Sequence, residues 1–207
     1  DPSREYAWLA LIRLHAAAGE QEAADAALEE ALEALPASAN LLWARAGRLE
    51  RAGDIAGAIE IYERLYAANS DALIVANNLA SLVSSYDETP EGLERAYRIA
   101  RRLRGTEVPA FQDTYGWIAF RLGNHEEALS YLEPAAAALQ NQPLVRYHLG
   151  ETYAALGRTE EALREYRAAE ALLEGAAPPP YAERLAAQIA ALEAAAGAAE
   201  DGTAPAD

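Results

Sequence analysis

Apolar residues recur along this chain with a helical rather than an alternating period, in paired blocks separated by glycine. The clearest pair is 143–173, PLVRYHLGETYAALGRTEEALREYRAAEALL. Tyr147, Leu149, Gly150 and Tyr153 fall at helical spacing, Gly157 stops the run, and Ala162, Tyr166 and Ala169 resume it. A helix, a tight glycine turn and a second helix make an αα-hairpin. Small residues, Gly150 on the first helix and Ala162 on the second, stand where the helices would touch, with aromatics filling the space around them. The turn recurs: Gly19, Gly53, Gly123 and Gly157 are separated by 34, 70 and 34 residues. Seventy is two units of 34 plus two residues, so one degenerate hairpin is predicted between Gly53 and Gly123, giving five in one register.

This pattern resembles the tetratricopeptide repeat, a unit of about 34 residues with the signature W-x2-L-G-x2-Y…A-x3-F…P. The resemblance implies an all-α fold, a right-handed solenoid of antiparallel helix hairpins with a C-terminal capping helix. In that register the repeats are 5–38, 39–72, 73–108 (degenerate and lengthened), 109–142 and 143–176. Residues 1–4 would end a preceding repeat or form a linker, 177–196 would be the cap, and 197–207 a flexible tail. Pro2 lies 34 residues before Pro36, the closing proline of the first unit, which suggests a segment of a longer array.

Departures from the pattern carry their own expectations. Trp8, Leu11 and His15 mark the first helix, His15 as a satisfied histidine rather than a ligand. Arg45 takes a place usually held by leucine, so the second hairpin should be weaker, and Asn69-Ser70-Asp71 should supply its closing turn and N-cap. In the third unit the loop 84–90 replaces the glycine turn, with Thr89 as cap and Pro90 in the first turn of the helix that follows. That helix carries Arg95, Arg98, Arg101 and Arg102, with Arg104 just beyond, either a solvated outer face or a docking patch. Pro134 falls deep in a second helix and should bend it near Ser130–Pro134. After the stiff turn 175–180, Tyr181, Leu185, Ile189 and Leu192 form one apolar stripe suited to covering the last repeat.

Composition narrows the function. The 207 residues contain no cysteine, which removes disulfides, thiolate metal sites and cysteine nucleophiles. All 17 basic residues are arginine and methionine is absent, a composition associated with GC-rich bacterial genomes. A formal net charge of −16 argues against nucleic-acid binding, which needs clustered positive charge. No apolar run is long enough to span a membrane. Three histidines in different units, no phosphate-cradling glycine loop and no HExxH or GxSxG motif leave no catalytic constellation, no metal site and no implied cofactor.

What remains is a non-catalytic binding scaffold. Stacked hairpins build a concave wall from the first helix of each unit. The wall-facing places give Trp43 in the second unit, Asn77, Asn78 and Ser81 in the third, Asp113, Thr114 and Trp117 in the fourth, and Tyr147, His148 and Glu151 in the fifth. Amides would bond the backbone of an extended peptide and aromatics would take its side chains. Asp113 would favour a basic partner. Trp43 and Trp117 admit two readings, as peptide anchors or as filler between adjacent first helices. One class of this family grips the C-terminal carboxylate of heat-shock chaperones with lysines, asparagines and an arginine; with no lysine here, that function is rejected. The stretch ANNLASL…PAFQDTYGWIAFRLG…PLVRYHLGETYAALG (76–157) is similar to bacterial envelope tetratricopeptide proteins, some associated with exopolysaccharide or protein-sorting systems. That implies a periplasmic or envelope scaffold. The alternative is a structural self-association module within a larger envelope protein.

Overall fold

The computed structural model describes residues 2–87 and 89–200, with side chains described over 4–87 and 89–197. Among the described residues every regular element is helical. The order is α1 (Pro2–Ala17), α2 (Gln21–Ala34), α3 (Ala39–Ala52), α4 (Ile55–Ala68), α5 (Leu73–Tyr86) and α6 (Pro90–Ala100). A 3₁₀ turn (Arg101–Leu103) follows, then α7 (Pro109–Arg121), α8 (His125–Ala138), α9 (Pro143–Ala155), α10 (Thr159–Leu172) and α11 (Ala182–Glu200).

Helix ends follow from local chemistry. Ser38 caps α3 by accepting the Leu41 N–H at 3.1 Å, Asp54 caps α4 through Gly57 N–H at 3.0 Å, and Thr89 caps α6 through Gly92 N–H at 3.0 Å. Gly53 at φ 79° ends α3 in the left-handed region, where its backbone and that of Asp54 satisfy the carbonyls of Glu50 and Leu49.

The chain forms two compact units, 1–92 and 93–207. In the first, α3 packs on α2 and α4, and α4 on α5, around buried Leu28, Ala31, Leu41, Ala46, Ala58, Tyr62, Leu79 and Ala80. Arg45 pairs with Glu29 at 3.3 Å, and Arg48 reaches Glu29 at 2.9 Å and Asp25 at 3.3 Å, tying α3 to α2. Glu5 adds a tie from α1 by accepting from Ser38 Oγ at 2.8 Å and Asn40 Nδ2 at 2.9 Å, bonds that hold its carboxyl below the usual range.

In the second unit α7 pairs with α8, α9 with α8 and α10, and α11 with α10. Close approach requires glycine here. A Cβ on Gly116 would stand 2.7 Å from Leu132 Cγ, and one on Gly150 would stand 2.5 Å from the Tyr166 ring. Leu185 and Ile189 of α11 are buried, with Tyr181 and Leu192 packed beside them, so α11 is the capping helix.

Several local expectations change. Helix α5 runs through Tyr86, so Ser84–Tyr86 are helical and the loop is shorter; Ser84, 1% exposed, satisfies its hydroxyl on the Ser81 carbonyl at 3.0 Å. Asn69 makes an Asx turn, accepting from Asp71 N–H at 3.1 Å, but Ala72 caps α5 without a side-chain bond. Helix α8 keeps its helical hydrogen-bonded course on both sides of Pro134, which is exposed, at the place where a bend is expected because the Ser130 carbonyl loses its donor. The alanine-rich α11 extends to Glu200, past the expected boundary at 196; the rest of the expected tail, 201–207, lies outside the described residues.

Candidate protein-binding wall

In the first unit the expected wall residues enter a polar chain that crosses three helices. Asn77 Nδ2 donates to Asn78 Oδ1 at 3.2 Å, Asn78 Nδ2 donates to the Tyr62 hydroxyl at 3.0 Å, and Tyr62 donates to Glu50 at 2.6 Å. Burial first, and then the bond to Glu50, pushes the Tyr62 hydroxyl well above its ordinary pKa. Trp43 meets the Tyr62 ring edge to face at 5.4 Å and 72°. Asn77 Oδ1 is buried without a partner, while Ser81 is half-buried on the same helix. The two asparagines therefore bond inward to each other and to Tyr62, and Trp43 packs while remaining partly open.

In the second unit α7 and α9 lie side by side and their wall residues pair across the gap. Asp113 and His148 Nδ1 stand 2.9 Å apart. The Trp117 indole stacks on His148 at 4.0 Å and 13°, and on Phe120 at 5.0 Å and 13°. Phe120 in turn meets His125 of α8 at 5.3 Å. Tyr147 stacks on Tyr181, just before α11, at 4.8 Å and 21°. Glu151 accepts the Tyr166 hydroxyl at 2.8 Å and pairs with Arg184 of α11 at 2.6 Å. Burial, with the Glu151 carboxylate second, pushes Tyr147 up to about 12, and the same two causes raise Tyr166 further.

These contacts sort the expected residues. Tyr147, His148, Glu151 and Thr114 are buried, whereas Trp117, Asp113, Trp43, Asn77, Asn78 and Ser81 keep partial exposure. Asp113 is engaged by His148 and is not a free carboxylate. Tyr181 and Arg184 escaped the sequence reading of the wall, although Tyr181 follows Tyr147 by 34 residues, one repeat period. Glu50, at a wall-facing place of the second unit, and Tyr62, on that unit's packing face, complete the polar chain. Among the described residues no group of three or more His, Cys, Asp or Glu could hold a metal ion, and no helix is long and apolar enough to cross a membrane.

Hairpins in this register, closed on glycine, define a helical-repeat protein of the tetratricopeptide class. Residues 143–168 match the family model for the tetratricopeptide repeat. A TPR repeat-containing protein of Pseudomonas aeruginosa is 31% identical over 138 residues, 64% of this chain, while this chain spans 22% of that relative's length. Among solved structures, PilW, a widely conserved type IV pilus biogenesis factor, superposes with a TM-score of 0.69 at 16% identity, over 95% of this chain and 89% of its own. YrrB, a TPR protein with an unusual peptide-binding site, superposes with a TM-score of 0.59 at 18% identity, over 81% and 86%. At those identities the two structures establish the shared fold alone. Residues 143–168 thus carry a tetratricopeptide repeat, and the chain is similar to proteins built from such repeats.

Proposed function

We propose that this chain is a non-catalytic, protein-binding scaffold that takes an extended partner segment on the faces of its first helices. The observation that carries the reading is the Trp117 wall: a half-buried aromatic held rigid between Phe120 and His148, the latter anchored by Asp113. A preordered aromatic of this kind loses little entropy on binding and is the residue type enriched in hot spots. The peptide-binding site named for YrrB supports the same use of the fold. With Asp113 committed to His148 and Glu151 to Arg184, preference for a basic partner rests on the net charge of −16 and weakens as salt rises. The bacterial relative and the pilus factor favour a bacterial envelope setting. A second reading, structural self-association, draws on α1, where Tyr6 is 75% and Leu14 66% exposed.

The test is a pull-down from a bacterial lysate with the native chain, an Asn78→Ala, Trp117→Ala double variant and an Arg98→Ala control, each checked for its melting temperature. Loss of a partner by the double variant but not by the control supports the wall. Equal recovery by all three moves binding off it, and molar mass rising with concentration and falling back on Leu14→Glu would favour self-association.

A further inference from the structure

The geometry of the second unit points to how its wall meets a partner, an inference that rests on the protein-binding reading above. Phe120 and His148 both lie within 13° of parallel to the Trp117 indole, at 5.0 and 4.0 Å. Among the described residues their own rings do not meet, so they take opposite faces of the indole. Both π faces of Trp117 are then occupied by the protein itself, and Phe120 is backed by His125 at 5.3 Å. A ligand cannot stack on Trp117; that removes the two common uses of a groove tryptophan, a sugar ring or a proline laid against the face. The edge is what is left. An aromatic edge carries the positive end of the ring quadrupole, and the indole edge adds an N–H that can only donate. That N–H bonds no described residue, and it is not among the sealed polar atoms that lack a partner, so it opens to solvent.

We propose that Trp117 binds its partner edge-on, donating its indole N–H to a main-chain carbonyl of an extended polypeptide segment. Phe120, His148 and Asp113 act as positioning residues: the stack fixes the ring plane, and the 2.9 Å contact from Asp113 to His148 Nδ1 fixes the stack. A main-chain acceptor is present at every residue of an extended segment and is already bonded within a helix or a sheet. The partner segment is therefore one whose backbone is unpaired, and the contact reads its extension more than its side chains.

The probe is a peptide selected from a random phage-displayed library on the folded chain, synthesised with a parallel series of single amide-to-ester replacements. Each ester weakens one carbonyl as an acceptor and deletes one N–H. The titration follows the indole ¹⁵N–¹H signal of Trp117, assigned in the native chain, and is repeated with Trp117→Phe, which keeps a ring in the stack but has no N–H. The Trp117 signal should shift and gain protection from hydrogen exchange, and Trp117→Phe should weaken binding about five- to tenfold. One ester position should cost a similar factor in the native chain and nothing further in the variant, the mark of a direct pair. If the peptide binds with the Trp117 signal unmoved and no ester couples to Trp117→Phe, the edge-on contact is wrong. The wall reading then stands or falls on whether Asn78→Ala, or a shift of the Trp43 signal, reports the same peptide. If no library peptide binds the folded chain, both readings fall together.

Discussion

The last hairpin, α9 with α10, and the first, α1 with α2, solve the same packing problem with different residues. Helix α9 buries a nearly unbroken run from Tyr147 to Tyr153, while no described side chain of α1 is fully buried. The first difference is in neighbours, since α9 packs on α7, α8 and α10 whereas α1 packs chiefly on α2; a second lies at one register position. Stepping by the repeat places Ile12, Ala46, Gly116 and Gly150 at the point where the first helix meets its partner, with Leu28, Tyr62, Leu132 and Tyr166 opposite. Small residues face large ones: Gly150 admits the whole Tyr166 ring, 0% exposed, and Ala46 admits Tyr62, 1% exposed. Ile12 is larger and itself remains half-buried, while Leu28 is 2% exposed. The lesson is that the closest hairpins, α7 with α8 and α9 with α10, are those whose crossing carries a glycine opposite a large side chain.

The cap gives the strongest way to break this comparison. Deleting the chain from Tyr181 onward exposes the surface under Leu185 and Ile189, each worth about 1.5–3 kcal/mol when fully buried, and removes the Tyr181 stack from Tyr147. Chemical denaturation should show the second unit losing stability, with a lower midpoint. An unchanged melt would mean that α11 does not support α9 and α10.

Gly150→Ala comes next. Its new Cβ would meet the flat, fully buried Tyr166 ring at 2.5 Å, and should cost about 2–3 kcal/mol even after the better helix propensity of alanine. Gly116→Ala meets Leu132, a flexible side chain, at 2.7 Å and should cost about half as much. Equal losses would show that the crossing volume is not what separates these hairpins.

A smaller effect appears in alkali. Tyr147 and Tyr153 are pushed up to about 12, chiefly by burial, with Glu151 and Glu133 the carboxylates beside them. A raised pKa means the folded chain holds the proton more tightly than the unfolded one. The stabilisation is therefore complete below about pH 10, the unfolded value, and is lost as pH rises through about 12. Tyrosinate absorbance from Tyr147 and Tyr153 should rise late, toward about pH 12, and unfolding should accompany that late rise. Titration of every tyrosine together near its free value would contradict the buried wall.

Much of this was legible in the chain because helix period and glycine turn repeat in one register, and Gly150 with Tyr166 already states the small-against-large crossing. The wall was legible only as positions. Trp117 and His148 could be assigned to wall-facing places, yet nothing in either helix alone says that one ring will stack on the other at 4.0 Å, or that Asp113 will be taken up by His148. Those contacts belong to the spacing between successive first helices, a tertiary quantity. The pairing of Glu151 was hidden for a further reason: its partner Arg184 comes from the cap, whose helix breaks the repeat pattern.

The central claim, that a partner segment lies along the first-helix wall, is tested most directly by photo-crosslinking. A benzophenone amino acid placed at Phe120, on the half-buried wall of α7, is compared with the same group at Arg98, on the exposed side of α6. The library-selected peptide should crosslink at position 120 and be competed away by the unlabelled peptide, with little product at 98. Efficient, competable crosslinking at 98 with none at 120 would place the partner on the arginine-bearing helix and contradict the account.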